Sequence, residues 1–289
     1  MYKKIRKAIF PVGGLGTRFL PATKSMPKEM LPVLNKPLIH HAFEEARNAD
    51  IEQFIFITGR NKNSINDHFD HAIELENFLE FKNNKDMLFL SKDCLIEPGN
   101  ILFLRQQQPL GLGHAVWCAR NIIGDEPFAV ILADDMFIED QKSGILTEMI
   151  QYFQSDTTAN IIGISKINIS ESKKYGIVKI GDGDIVEDMI EKPEVSDAPS
   201  DLAIVGRYIL QPDIFYYLKN TEADKGGEIQ LTNAMKKMLA NSKFRAYRTN
   251  AYRLDCGSYL GYLEANIRFS LQNSEFSEPI KEMLKNILG

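Results

Sequence analysis

Short apolar runs alternate with amphipathic stretches along the first 135 residues of the chain. Compact runs rich in β-branched and aromatic residues predict strands at residues 8–12, 53–58, 101–105 and 128–133. Apolar residues at helical spacing predict helices at residues 36–49, 63–81 and 113–123. Because strands and helices alternate, we expect a parallel sheet with helices on both faces.

The pattern changes beyond Asp135, where predicted strands follow one another more closely. We predict a helix at residues 145–153, a short helix after Pro212, and strands at residues 160–167, 176–180, 185–191 and 202–210. The run Gly181-Asp182-Gly183-Asp184 between two of these strands predicts a hairpin. A predicted helix at residues 228–240 would begin with Glu228, whose carboxylate favours a helix N-terminus electrostatically. The sheet is therefore expected to be mixed.

The C-terminal residues 259–271 and 279–288 also have helical spacing. Their apolar stripe contains Leu260, Leu263, Ile267 and Leu271. We expect this stripe to pack on the chain's own core, and a subunit interface is the alternative. At 289 residues the chain fits one large domain over residues 1–258, followed by a helical segment over residues 259–289.

Composition narrows the class of protein. Hydrophobic residues make up 44% and charged residues 25%, as in ordinary globular proteins, and the net charge of -5 argues against a general nucleic-acid binder. The apolar run after the basic start ends at Pro11, too early for a secretion signal, and no segment approaches the length of a membrane span. The three cysteines lack a C-x-x-C spacing, which suits reduced thiols. We expect a cytoplasmic protein without nucleic-acid or membrane partners.

Candidate chemistry lies directly after the first predicted strand. There Gly13, Gly14 and Gly16 allow a sharp turn that brings backbone N–H groups close to an anion, and Arg18, Lys24 and Lys28 add positive charge. This is the layout of a phosphate-binding loop. It lacks the Walker A spacing, and Phe19 stands where a dinucleotide-binding loop has its third glycine. Both a P-loop NTPase and a simple dehydrogenase are therefore disfavoured.

Two aspartates also follow predicted strands. Asp134 would lie at the carboxyl end of a parallel strand, where open α/β sheets bind ligands, and Asp255 follows the strand-like residues 252–254. Carboxylates suit Mg²⁺, which binds one or two of them together with phosphate oxygens and water. Asp135 should point away from Asp134 because side chains alternate along extended backbone, so we expect a structural role for it.

Several strings in fixed order carry a resemblance. They are G-x-G-T-R-F-L-P-A-T-K from Gly14, P-K-E-M-L-P-V from Pro27, G-L-G-H-A from Gly111, L-A-D-D from Leu132, Y-G-I-V from Tyr175, I-E-K-P from Ile190, G-G-E-I-Q-L-T from Gly226 and L-D-C-G from Leu254. Together they resemble sugar-1-phosphate nucleotidyltransferases, and K-E-M-L-P with G-L-G-H-A is most similar to the branch that transfers uridylyl groups.

The resemblance implies a Rossmann-like, glycosyltransferase-A-like α/β fold: a mixed, mostly parallel sheet flanked by helices, with a small β insertion and C-terminal helices. Residues 1–135 would bind the nucleotide and residues 136–258 the sugar phosphate. The implied reaction is Mg²⁺-assisted transfer of UMP from UTP to glucose 1-phosphate by direct displacement, which gives UDP-glucose and pyrophosphate. The implied assembly is a homodimer or homotetramer. A thymidylyltransferase that uses dTTP and a non-catalytic nucleotide-sugar sensor remain alternatives.

The same resemblance assigns site residues. The catalytic residues would be Arg18, Lys28, Asp134 and Lys192, and the metal ligands Asp134 and Asp255. The nucleotide-binding residues would be Gly13, Gly14, Gly16, Glu29, Gln106 and Gly111. The sugar-binding residues would be Gly176, Glu191, Lys192 and Gly206. A glutamine amide offers the donor and acceptor that a pyrimidine edge needs, but Gln107 and Gln108 are alternatives to Gln106. Lys24 and His114 have no assigned role.

Overall fold

A nine-stranded mixed sheet forms the centre of the computed structural model, which describes residues 4–138 and 144–289. The first three residues of the basic start lie outside the described residues. Two pairs of strands, β2 with β3 and β7 with β13, form separate two-stranded sheets. The strands of all three sheets are β1 (Lys7–Pro11), β2 (Pro32–Val33), β3 (Lys36–Pro37), β4 (Gln53–Thr58), β5 (Ile101–Arg105), β6 (Phe128–Ile131), β7 (Asp135–Ile138), β8 (Asn160–Lys166), β9 (Gly176–Ile180), β10 (Val186–Glu191), β11 (Leu202–Leu210), β12 (Phe244–Arg248) and β13 (Tyr252–Asp255).

The helices surround this sheet. They are α1 (Leu38–Asn48), α2 (Asn63–His68), α3 (Ile73–Phe81), α4 (Lys85–Ser91), α5 (Leu112–Cys118), α6 (Arg120–Ile123), α7 (Ile145–Phe153), α8 (Ile214–Lys219), α9 (Leu231–Met238), α10 (Tyr259–Gln272) and α11 (Ser277–Leu288). None of those in the described part of the chain combines the length and the apolar character that crossing a bilayer needs.

The two halves of the sheet differ in strand direction. In the first half, β5, β4, β1 and β6 lie side by side and are all parallel. In the second half, β11 is antiparallel to β6, β8 and β9, and β9 and β10 form the predicted antiparallel hairpin. The expected mixed α/β sheet flanked by helices is therefore confirmed. Because β1 and β6 are parallel neighbours, the loops after both strands leave the same edge of the sheet.

Successive side chains of each strand point to opposite faces of the sheet, and helices cover both faces. In β1, Phe10 packs on the face that α1, α2 and α7 cover, whereas Ile9 packs on the face that α5, α8 and α9 cover. In β4, Phe56 and Ile55 divide between the same two faces. All four side chains are fully buried, and each contributes about 1.5–3 kcal/mol by leaving water.

A third, smaller core connects the C-terminus to the glycine loop. Phe19 of the loop packs with Leu254 of β13 and Ala265 of α10. The α10 residues in this core are Tyr262, Ala265 and Phe269, whereas two residues of the predicted stripe face outward: Leu260 is 81% exposed and Leu263 is 56% exposed. The prediction that the whole stripe packs on the chain's own core is therefore wrong for these two leucines.

Other sequence predictions need correction. The single helix predicted at residues 63–81 is two helices, because the Glu76 carboxylate accepts a hydrogen bond from the Ala72 N–H and starts α3 separately. The helix predicted from residue 228 begins at Leu231. Its expected first residue, Glu228, lies in an irregular segment whose neighbour Ile229 pairs with Leu110 and Gly113. Strands β2, β3, β7 and β12 and helix α4 are additional to the predicted elements, and β3 takes the first two residues of the helix predicted at residues 36–49.

Candidate active site

The glycine loop leaves β1 and turns back against β4. The Val12 N–H donates to the Ile57 carbonyl, and Gly16 then adopts a left-handed conformation with φ of 68°. A Cβ atom built on Gly16 would lie 3.3 Å from Cβ of both Thr23 and Lys28, so glycine also permits close packing there. The Thr23 hydroxyl donates to the Gly16 carbonyl at 2.7 Å and holds the turn.

Two of the predicted cations lie beside the predicted metal aspartates. The Lys28 ammonium donates to Oδ2 of Asp134 at 2.5 Å, and Arg18 donates to the Gly257 carbonyl at 3.4 Å. Burial opposes the charged form of both partners, but the ion pair holds the pKa of Lys28 above, and that of Asp134 below, its ordinary value. Both groups are therefore charged at neutral pH. Lys24 is exposed.

Asp134 and Asp255 face the same small space above Gly257. A Cβ atom built on Gly257 would lie 3.0 Å from Oδ1 of Asp255 and 3.1 Å from Oδ2 of Asp134. The Tyr175 hydroxyl donates to Oδ2 of Asp255 at 2.8 Å, and the Gly257 N–H donates to Oδ1 at 3.0 Å. Two hard carboxylate ligands beside the glycine loop suit a divalent metal ion that completes its shell with other oxygen ligands.

Asp135 has the structural role that the sequence predicts. Its carboxylate forms two hydrogen bonds with the Arg253 guanidinium, at 2.7 and 3.0 Å, and accepts the Gly206 N–H at 2.7 Å. The Arg253 guanidinium also lies over the Tyr175 ring, 4.4 Å from its centroid. Asp135 therefore supports Tyr175, which in turn holds Asp255.

A second cluster of possible metal ligands lies between α1 and the segment after α4. His40, Glu44 and Asp93 bring their ligand atoms within 4.8 Å of one another. The Lys36 ammonium lies 2.6 Å from Glu44 and 3.5 Å from Asp93, and Arg47 lies 3.5 Å from Asp93. These cations already balance the two carboxylates, so a metal ion is not required to explain this cluster.

Two cavities meet at Asp134. The first, of about 420 Å³, is lined by the glycine loop and by Lys28, Gln106, Gly111, Asp134 and Glu228. The second, of about 270 Å³, is lined by Arg18, Asp134, Tyr175, Gly176, Glu191, Lys192, Gly206 and Asp255, among others. The residues predicted for the nucleotide, apart from Glu29, thus line one cavity, and those predicted for the sugar line the other.

The three consecutive glutamines differ in burial. Gln106 is only 6% exposed and lines the first cavity, whereas Gln107 and Gln108 are exposed. The Gln106 backbone N–H donates to the Thr58 carbonyl at 2.8 Å, which continues the pairing of β5 with β4 by one residue. This pairing turns the Gln106 side chain inward.

Glu29 does not join the residues of the first cavity. Its carboxylate is buried and accepts a hydrogen bond from the Lys62 ammonium at 2.8 Å. Burial raises the pKa of Glu29, although Lys28 and Lys62 oppose this shift. A direct contact between Glu29 and a nucleotide therefore stays a prediction. In the structure, its ion pair with Lys62 links the turn that contains Lys28 to the N-terminus of α2.

In the second cavity, Glu191 is the last residue of β10 and Lys192 follows it. A Cβ atom built on Gly176 would lie 3.2 Å from Oε2 of Glu191, so the glycine leaves room for that carboxylate. The Lys192 ammonium is partly exposed, 3.3 Å from Oε1 of Glu191, and its backbone has a φ of 46°. Such a conformation costs on the order of 1–3 kcal/mol in a residue other than glycine and is often found at functional sites.

Two residues of this site carried no prediction. Tyr175 belongs to the string Y-G-I-V, which gives no sign of a hydrogen bond to Asp255 80 positions away. Arg253 precedes Asp255 by two residues and therefore lies on the same side of β13. That spacing was the available signal for a charged residue near the site.

Comparisons with known proteins agree with this geometry. The nucleotidyl transferase family model matches residues 7–270. The chain is 44% identical over 291 residues to the UTP–glucose-1-phosphate uridylyltransferase of Bacillus subtilis strain 168, with 99% of this chain and 98% of that protein covered.

Solved structures are similar over nearly the same length. The UTP-bound UGPase from Acinetobacter baumannii is 39% identical with a TM-score of 0.88, and the match covers 97% of this chain and 99% of that one. A UDP-glucose pyrophosphorylase complexed with UDP-glucose is 41% identical with a TM-score of 0.81, and the match covers 93% and 100%.

Proposed function

The chain belongs to the nucleotidyl transferase family, and from this membership we propose that it transfers UMP from UTP to glucose 1-phosphate. The products are UDP-glucose and pyrophosphate. The observation that carries the proposal is the meeting of two cavities at Asp134, one beside the glycine loop and one beside Glu191 and Lys192. A nucleotide in the first and a sugar phosphate in the second would bring their phosphates together.

The reaction is a direct displacement. A phosphate oxygen of glucose 1-phosphate attacks the α-phosphorus of UTP, and the bond from this phosphorus to the bridging oxygen of pyrophosphate breaks. The attacking phosphate is already anionic, so the site needs cations and in-line positioning more than it needs a base.

The charged residues divide these tasks. Arg18 and Lys28, on the glycine loop and the turn after it, stabilise the negative charge that develops on the leaving pyrophosphate. Lys192, which lines the second cavity together with Asp134, holds the phosphate of the sugar in position to attack. Its partly exposed ammonium, 3.3 Å from Oε1 of Glu191, can approach an anion.

Asp134 and Asp255 would hold a Mg²⁺ ion. A bound ion would neutralise phosphate charge as the transfer proceeds. The chain prepares this site by keeping both carboxylates oriented: the Lys28 ammonium pairs with Asp134, and the Tyr175 hydroxyl donates to Asp255.

The remaining predicted residues, apart from Glu29, recognise the substrates. Gly13, Gly14 and Gly16 bring backbone N–H groups to the triphosphate, and Gln106 with Gly111 reads the uracil edge. Glu191 accepts hydrogen bonds from the sugar hydroxyls, and Gly176 and Gly206 line the cavity beside the sugar.

At the level of the whole chain, residues 1–135 form the nucleotide-binding half and residues 136–258 the sugar-phosphate-binding half. The exposed Leu260 and Leu263 of the C-terminal segment support a contact between subunits, in a homodimer or homotetramer. We place the protein in the cytoplasm, where UTP and sugar phosphates are available and free thiols such as Cys94, Cys118 and Cys256 stay reduced.

The test is pyrophosphate release by the purified protein with Mg²⁺ and glucose 1-phosphate, using UTP, dTTP, CTP and ATP in turn. We expect release to be strongest with UTP and abolished by a chelator. A preference for dTTP would identify a thymidylyltransferase instead. Nucleotide binding without release, for every pair of substrates, would identify a sensor.

A further inference from the structure

The His114 ring contacts the Gln106 amide at the wall of the first cavity. Nε2 of Gln106 lies 3.0 Å from Nδ1 of His114 and 3.1 Å from the Gly111 carbonyl oxygen. The His114 ring is stacked with Trp117 of the next helical turn, with centroids 5.9 Å apart and an interplanar angle of 28°. The amide therefore meets two neighbours of well-defined position.

These contacts fix the orientation of the Gln106 amide. A carbonyl oxygen only accepts hydrogen bonds, so the amide nitrogen, not the amide oxygen, must face Gly111. The second hydrogen of the same nitrogen then points to Nδ1 of His114, which must carry a lone pair. His114 is therefore neutral, with its proton on Nε2. Burial and the positive charge of Arg120 lower the pKa of His114, in agreement with a neutral ring.

In this orientation, Oε1 of Gln106 is the amide atom that Gly111 and His114 do not contact. Both amide hydrogens are donated to protein acceptors, whereas Oε1 lies close to the glycine loop. A Cβ atom built on Gly13 would be 2.8 Å from Oε1. Gln106 thus offers the first cavity an acceptor and no donor.

We propose that His114 is a positioning residue for base selection: it holds the Gln106 amide with its oxygen toward the base. This inference rests on the proposed function of the first cavity as the nucleotide site. An acceptor there matches the N3–H of uracil and thymine and opposes cytosine, whose N3 is itself an acceptor. In the flipped amide, the oxygen would face the Gly111 oxygen and the His114 lone pair, so the flip is opposed twice.

The test removes the acceptor and keeps the ring. His114→Phe retains an aromatic ring against Trp117 but has no lone pair, and His114→Asn keeps an amide oxygen near the position of Nδ1. We expect His114→Phe to lower the UTP-over-CTP ratio of kcat/KM roughly 3- to 10-fold, the worth of one neutral hydrogen bond. His114→Asn should restore much of the ratio. The UTP-over-dTTP ratio should not change, because both bases carry N3–H.

Dissociation constants for UTP and CTP, measured by isothermal titration calorimetry, separate this inference from the proposed function. If the wild type binds nucleotides without turnover and the phenylalanine variant still loses its preference for UTP, the reaction is wrong and the inference holds. If His114→Phe weakens UTP and CTP equally, His114 only supports the fold and the inference is overturned. Should this variant melt far below the wild type, His114→Leu provides the same test.

Discussion

Gly257 offers the sharpest probe of the two-aspartate site. The substitution Gly257→Ala adds one methyl group where the carboxylates of Asp134 and Asp255 converge. Gly257 lies outside the left-handed region of backbone conformation, so alanine does not force a strained backbone there. We expect the variant to fold normally and to lose most of its activity.

The magnitude follows from the contacts of the added carbon. It would lie 3.0 Å from Asp255 and 3.1 Å from Asp134, whereas ordinary contacts begin at 3.4 Å, so each carboxylate must move by a few tenths of an ångström. Mg²⁺ demands ligands at about 2.0–2.1 Å in near-octahedral geometry and tolerates little displacement. Since a 1 Å misplacement costs about 100-fold in rate, we expect kcat to fall roughly 10- to 100-fold and the Mg²⁺ requirement to rise.

The neighbouring residue supplies a matched control. Ser258 is the N-cap of α10, and its hydroxyl accepts the Gly261 N–H at 3.2 Å. Ser258→Ala should lower the free energy of unfolding by about 0.5–2 kcal/mol and leave kcat unchanged.

Both variants are compared by pyrophosphate release over a Mg²⁺ titration and by urea unfolding. A Gly257→Ala variant with the wild-type kcat and Mg²⁺ requirement would refute the convergence of the two aspartates on one ion.

Three further substitutions test other contacts. Asp134→Ala should lose nearly all turnover in the pyrophosphate assay and keep its fold by circular dichroism, and undiminished turnover would contradict its role as a metal ligand. Tyr175→Phe removes the hydrogen bond to Asp255 and should raise the half-saturating Mg²⁺ concentration about tenfold, the worth of one hydrogen bond to a charged group; an unchanged Mg²⁺ titration would show that this bond does not matter. Burial lowers the pKa of His40 to about 4, whereas histidine in the unfolded chain has its ordinary pKa of 6.5. The unfolded chain therefore takes up the proton at a higher pH than the folded protein. As a result, the free energy of unfolding falls as the pH drops from 6.5 to 4. His40→Gln should lose less stability between pH 7 and pH 4.5 in urea unfolding, and an equal loss in both proteins would contradict this explanation.

The sequence predicts the exact bounds of some strands and helices. The strands at residues 53–58 and 202–210 and the helix at residues 145–153 have their predicted bounds. Strand β12, F-R-A-Y-R, escaped prediction because two arginines interrupt its apolar residues, although Phe244 and Ala246 alternate inward. The break between α2 and α3 at residues 69–72 depends on the Glu76 carboxylate, which accepts the Ala72 N–H and caps α3. The sequence does not reveal this break, because the polar residues of 63–81 follow one continuous helical pattern.

Some residues of the site could likewise be predicted from the sequence, and others could not. Asp134 and the glycine loop were predictable because parallel strands bring the loops after them to one edge of the sheet. The pairing of Asp135 with Arg253 spans 118 positions and depends on the register of β7 with β13, which no local pattern reveals. The His114 contact with Gln106 is closer in sequence, but it requires the turn at Gly111 to bring α5 back toward β5.

The most direct test of the proposed reaction is ³¹P NMR of the purified protein with UTP, glucose 1-phosphate and Mg²⁺. We expect the resonances of UDP-glucose and of pyrophosphate to grow in equal amounts, and to stay absent when a chelator is present. Formation of UMP and pyrophosphate without UDP-glucose, or no reaction with Mg²⁺ present, would contradict the transfer of UMP to glucose 1-phosphate.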